Sequence, residues 1–190
     1  IKSDIEKLYK GDKNLNLVNV FFDRHLYQPL LARYGDALKV EIHPEGLNTG
    51  ERKFVLDLKS HIENDPDAFA GKKVFVLRNF PKRGVGFFEN VNFFPDFIIW
   101  IVYGNVQHLL FVDPKGLVNI KSGFKDEKIQ LCNSIKELEQ KLNGRKKGTS
   151  ITLDSFIVSV TEKQSVGGVF DYPADSVYDQ NHVLFQEDER

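Results

Sequence analysis

Residues 93–116 read FFPDFIIWIVYGNVQHLLFVDPKG. The run suits the centre of a β-sheet, yet Asp96 and Asp113 stand near its ends and Lys115 lies just beyond the second acid. Gly-Asn in a two-residue slot is a strong hairpin signal, so Gly104-Asn105 divides the run into two strands, FPDFIIWIVY and VQHLLFVDPK. With that loop Tyr103 pairs with Val106. Counting outward, Val102 faces Gln107, Trp100 faces Leu109, Ile98 faces Phe111 and Asp96 faces Asp113. Side chains alternate along a strand, so Asp96, Ile98, Trp100 and Val102 share one face with Gln107, Leu109, Phe111, Asp113 and Lys115. Opposed carboxylates with Cβ atoms about 4.5–5.5 Å apart destabilise a sheet. A hard divalent cation between them reverses that sign, because such ions take oxygen ligands. The two acids are therefore expected to form a metal seat at one end of a buried hairpin. A loop longer by one residue would shift the register and separate them.

Outward from the hairpin, NTGERKFVLDLKSHIEN (48–64) carries Phe54, Val55, Leu58 and Ile62 at helical spacing, and Asp65-Pro66 ends it. KKVFVLRNF (72–80) reads as a strand and PKRGVGFFENVN (81–92) as a loop. DEKIQLCNSIKELEQKL (126–142) reads as a helix with Leu131, Ile135, Leu138 and Leu142 along one face, and SITLDSFIVSVT (150–161) as another strand. A last helix is expected from Asp175 to Phe185, before an acidic tail. The order is αβββαβ, an α/β arrangement, and its fully apolar strands imply a mixed central sheet covered by helices on both faces. Residues 1–47 are expected to form an N-terminal extension packed on this core, with a charged helix from Ser3 to Lys10, an aromatic segment at Phe21-Phe22 and a helix from Arg24 to Tyr34. Residues 48–190 form the main domain.

The bulk composition narrows the function classes. At 190 residues, with 41% hydrophobic and 28% charged residues, the chain has room for one domain with a real core, and its 16 phenylalanines suggest a well-filled one. A single cysteine, Cys132, excludes an internal disulfide framework and points to an intracellular, cytoplasmic setting. The five histidines lack ligand spacing, which argues against zinc. No run reaches the ~20 apolar residues of a membrane span, and no signal peptide is visible. The chain starts at Ile and contains no Met, so it is expected to be a segment of a longer polypeptide. A formal net charge of −1 argues against a uniformly basic nucleic-acid-coating protein. It leaves room for a local basic groove at Lys82 and Arg83, or at Arg145, Lys146 and Lys147, each of which also reads as a solvated loop.

D/E-x-K alone carries little, since it occurs five times (51–53, 57–59, 113–115, 126–128 and 139–141). Pro-Asp occurs twice, at 66–67 and 95–96. Only 95–96 with 113–115 combines the right order with adjacent apolar strands and a facing register. Asp113-Pro114-Lys115-Gly116 also reads as a strand-ending turn. Glu51 lies on the apolar side of its helix and is placed to complete the acidic cluster, yet Asn48 with Glu51 three residues on equally fits a capping box. Gln107 and Trp100 read as core or edge residues, Glu89 as a loop acid, Cys132 as a buried small residue, and His108 points to the face opposite Asp113. Gly84-Val85-Gly86 is too short for a phosphate loop and reads as a turn.

At Pro95-Asp96, Asp113-Pro114-Lys115 and Glu51 the sequence resembles the PD-(D/E)xK, or restriction-endonuclease-like, nuclease superfamily, whose common core has the same αβββαβ order. A closer likeness is to the C-terminal nuclease domain of DEAD/DEAH-type helicases and of the large subunit of type III restriction enzymes. DRHLYQPLL, GERKFVLDL, LRNFPKRGVGFFE, FPDFIIWIV and HLLFVDPKGL all look like segments of such domains. The resemblance implies that Asp96, Asp113, the Pro114 backbone carbonyl and Glu51 bind Mg²⁺ or Mn²⁺. It implies that Lys115 orients or deprotonates the attacking water, that DNA is the substrate, and that a helicase part of the same polypeptide is the partner. The alternative is a non-catalytic module that keeps the fold and binds nucleic acid or docks on a helicase.

Overall fold

A computed structural model of the chain describes residues 45–80, 84–87, 93–118, 120, 122–145 and 148–186, together with 17–20 and 30–33. It is an α/β structure. In chain order the elements are β1 (Leu17–Val20), β2 (Leu30–Arg33), α1 (Thr49–Asn64), β3 (Lys73–Arg78), β4 (Phe97–Tyr103), β5 (Val106–Lys115), α2 (Glu127–Arg145), β6 (Ser150–Ser159), α3 (Lys163–Phe170), α4 (Asp175–Gln180) and β7 (Val183–Phe185). A two-stranded sheet pairs β1 with β2, and a five-stranded mixed sheet has the order β3-β4-β5-β6-β7. Among the described residues no helix is long and apolar enough to cross a membrane.

The hairpin has the register counted from its sequence. Tyr103 pairs with Val106, Trp100 with Leu109, Ile98 with Phe111 and Phe97 with Val112. Gly104 sits in the turn at φ 54°, a left-handed conformation that costs glycine nothing. β5 continues into β6 through α2, and the two strands run parallel from Val106↔Ser150 to Lys115↔Ser159. A parallel pair needs such a crossover, which a helix supplies.

Alternation along β4 and β5 divides the core between two helices. Phe97, Ile99 and Val112 join Val74, Val76 and Val55 of α1 in one buried cluster, with Phe54, Leu58 and Ile62 packed against it. Ile98 and Phe111 join Ile151, Leu153 and, from α2, Leu131 and Ile135 in another. A third cluster, with Ile129, Ile157, Val166, Phe170, Tyr178 and Val183, seats α3, α4 and β7. Leu30, wholly buried, belongs to the α1 cluster.

Four expectations change. The helix expected over Arg24 to Tyr34 is a strand at Leu30–Arg33, in antiparallel register with Leu17–Val20; pairing overrides the helical propensity of Leu-Leu-Ala-Arg. The helix expected from Asp175 to Phe185 stops at Gln180, His182 turns at φ 52°, and Val183–Phe185 adds to β6 as a parallel strand. The helix at Lys163–Phe170 has no counterpart in the expected order. Leu138 is 42% exposed rather than on the sheet face of α2. The expected helix Ser3–Lys10, the Phe21-Phe22 segment and residues 24–29 lie outside the described residues.

Lys136, Glu139 and Asn143 explain the exposure of Leu138. β7 covers only the last three residues of β6, leaving an edge that other side chains occupy. Ile151 N–H donates to Asn143 Oδ1 at 2.8 Å, and Asn143 Nδ2 donates to Ile151 O at 2.7 Å. Leu153 N–H donates to Glu139 Oε2 and Lys136 Nζ donates to Leu153 O, each at 2.6 Å. The Ser155 carbonyl lies 3.1 Å from His182 Nδ1, and Ile157 N–H donates to His182 O at 3.0 Å. The stripe of α2 that faces this edge is polar because it stands in for a strand and closes the edge to association. Asn143→Ala leaves both backbone groups of Ile151 unpaired and is expected to cost about 1–3 kcal/mol in urea unfolding. Leu138→Ala, at an exposed position, is expected to cost far less.

Candidate active site

Asp96 lies in a bend one residue before β4, and Asp113 is near the end of β5. Continuing the ladder one step beyond Phe97↔Val112 brings the two opposite each other. Their carboxyl groups are in hydrogen-bonding contact, and Asp113 is 7% exposed. Asp96 is pushed up to about 8, first by burial, then by the charge of Asp113 and its hydrogen bond, with Glu51 adding to the repulsion and Arg78 opposing it. Lys115 Nζ stands 3.6 Å from Asp113 Oδ2. Burial lowers the Lys115 pKa below the ordinary lysine value; Asp113 opposes that and Lys128 adds to it. Pro95 and Pro114, which precede Asp96 and Lys115, are both buried.

Glu51 enters from the other side of the sheet. Its N–H donates to Asn48 Oδ1 at 2.9 Å, and its Oε2 accepts from Asn48 N–H at 3.0 Å, so the capping box is formed. The same Oε2 accepts from Arg78 Nη2 at 3.1 Å. Glu51 thus closes the first turn of α1, and its charge also acts on Asp96.

Asp96, Asp113, Lys115 and Glu51 therefore come together. Lys82, Arg83, Lys146, Lys147 and Glu89 lie outside the described residues, while Arg145 is exposed at the end of α2. His108 falls on the opposite face from Asp113, and Cys132 is buried in α2, where burial pushes its thiol up. Two further cations stand at the site. Arg78, the last residue of β3, supplies the positive charge beside Glu51 and also donates to the Glu45 carbonyl. Lys128, in the first turn of α2, stands over the Phe93 ring at 5.5 Å and beside Lys115. Arg78 lies in the segment LRNFPKRGVGFFE and Lys128 closes the 126–128 D/E-x-K match, but neither pattern sets them apart from other cations of the chain.

Among the described residues no group of three or more His, Cys, Asp or Glu is arranged to hold a metal ion. The donor chemistry that is present still fits one. The carboxylates of buried Asp113 and partly buried Asp96 interact directly, and oxygen donors of this kind suit Mg²⁺ or Mn²⁺. In comparisons with protein-family models, with curated proteins and with solved structures, nothing matches this chain.

Without metal, Asp96 binds its proton more tightly in the folded chain than in the unfolded one, so stability falls as pH rises from about 3.8 to about 8. Asn in its place is neutral at every pH and still offers Asp113 a donor. In urea melts with chelator, Asp96→Asn is expected to match wild type near pH 4. By pH 8 it should exceed it by more than about 1 kcal/mol. A constant gap across that window would show that neither burial nor its neighbours raise the Asp96 pKa.

Proposed function

We propose that this chain is a metal-dependent phosphodiesterase domain that cleaves DNA, similar to the PD-(D/E)xK nucleases and carried by a helicase or type III restriction-like protein. The observation that carries the reading is the contact of Asp96 with Asp113 at the end of the β4–β5 pair, with the half-buried Lys115 ammonium 3.6 Å from Asp113. The αβββαβ order of α1, β3, β4, β5, α2 and β6 supports it. So do helices packed on opposite faces of the sheet.

In this reading Asp96, Asp113 and the Pro114 carbonyl hold Mg²⁺ or Mn²⁺, with Glu51 as an outer acid. A bound divalent ion lowers the pKa of water and neutralises charge on the phosphodiester. Lys115 holds the attacking water in line with phosphorus or accepts its proton, a role suited to an ammonium whose pKa burial has lowered. The water oxygen bonds to phosphorus as the ester P–O bond on the far side breaks and the leaving oxygen takes a proton. Lys128 adds a second positive charge on the side where a phosphate would lie.

One observation favours a second reading, a non-catalytic module that binds nucleic acid or docks on a helicase. Glu51 is engaged by its cap and by Arg78, which leaves two acids rather than three in direct contact.

Calorimetric titration with Mn²⁺, with and without duplex DNA, on wild type and on Asp96→Ala/Asp113→Ala separates the readings. The nuclease reading expects binding in wild type and none in the double variant. It also expects Lys115→Ala to keep metal binding while cleavage drops about 10²–10⁴-fold. Salt-sensitive DNA binding with no divalent requirement and no cleavage would establish the second reading instead.

A further inference from the structure

The β3–β4 ladder ends at Arg78↔Phe97, so it does not itself hold Asp96. Asp96 nevertheless lies opposite Asp113, one step past the last β4–β5 pair, so its backbone needs an anchor outside the ladder.

Asn79, directly after β3, is buried at 7% exposure. Its N–H donates to the Asp96 carbonyl at 2.7 Å, which adds one contact past the last ladder pair. Its Nδ2 donates to the Pro95 carbonyl at 2.8 Å and to the Val85 carbonyl at 2.7 Å, while its Oδ1 accepts from Val85 N–H at 2.9 Å. A carboxamide offers two donors and one acceptor on a planar tip, and here all are used.

The turn is shaped around that amide. Gly84 N–H donates to the Phe80 carbonyl at 2.9 Å. A Cβ on Gly84 would stand 1.9 Å from Asn79 Oδ1 and 2.9 Å from the Phe80 nitrogen. Beyond it, Phe87 and Phe93 exchange backbone hydrogen bonds of 2.9 and 3.3 Å, and both rings pack into the α2-side core. The segment that delivers Pro95-Asp96 to the sheet is thus anchored at Asn79 and again at Phe93.

We propose that Asn79 is the positioning residue that holds Asp96 against Asp113, by clamping the Pro95-Asp96 backbone to the turn made possible by Gly84. Its functional consequence rests on the nuclease reading, whereas its structural content does not.

The test uses Asn79→Ala and Gly84→Ala, which disturb the same amide from its two sides. Both are expected to retain cooperative thermal unfolding and to lose Mn²⁺ affinity by about 10–100-fold. DNA cleavage should lose kcat at unchanged KM, because no substrate contact is removed. Since the two changes act through one interaction, the double variant should be no worse than Asn79→Ala alone. Crystal structures of the variants should show the Asp96 carboxylate moved away from Asp113. A folded Asn79→Ala with both carboxylates in place and wild-type Mn²⁺ affinity overturns the proposal. If wild type takes up no Mn²⁺ even with DNA present, the nuclease reading falls, and the variant crystal structures alone decide whether Asn79 positions Asp96.

Discussion

Pairing of Tyr103 with Val106 across the Gly104-Asn105 turn fixes the placement of nearly every other group in the sheet. β5 is the middle strand, antiparallel to β4 and parallel to β6, and β7 takes its register from β6. Strand side chains alternate with a period of two, so a slip of one residue would move every β5 side chain to the other face. Phe111 would leave the α2 cluster, Val112 would leave the α1 cluster, and Asp113 would no longer oppose Asp96. The glycine that permits the turn has no heavy atom near its would-be Cβ, so its positive φ alone requires it.

That register brings like charges together at one end of the sheet. Asp96 and Asp113 touch, Glu51 adds a third negative charge, and Lys128 stands by Lys115. Arg78 and the Lys115–Asp113 pair offset part of this, while burial first, and the like charges after it, raise the Asp96 pKa and lower that of Lys115. A fold selected for stability alone would place apolar side chains there, since buried charge is costly without full pairing. Paired acids call for a cation, and paired lysines for an anion. In the proposed nuclease reading, a metal ion together with a phosphate would meet both demands.

How much of this the sequence reveals depends on the range of the interaction. The hairpin was readable because two neighbouring segments, a turn dipeptide and a period of two specify it. The apolar stripe of α1 was readable from its 3.6-residue period. Leu30–Arg33 was not, because a helix-favouring tetrapeptide becomes a strand only through a partner segment. Leu138 misled because its period fits the buried stripe, whereas the neighbouring Lys136, Glu139 and Asn143 serve the bare edge of β6, a demand set by how short β7 is. Glu51 is ambiguous in sequence because the same carboxylate that closes the capping box also acts by its charge on Asp96. No pattern sets Arg78 and Asn79 apart, since their meaning lies in partners 16 to 27 residues away.

Asn79 and Asn143 show the same device put to two uses. Each carboxamide both donates to and accepts from one backbone residue, Val85 in the first case and Ile151 in the second. That paired exchange is the unit of an antiparallel ladder, and a planar amide supplies it because it has the chemistry of a peptide group. At β6 the mimic closes an edge that a short β7 leaves open. At β3 it carries the order of the sheet beyond the last paired residue, to the place where the chain turns to present Asp96. A bend would otherwise be the weakest place to hold a carboxylate against its neighbour's repulsion. The chain meets that difficulty with backbone-like hydrogen bonds alongside the partial counter-charge of Arg78 and Lys115.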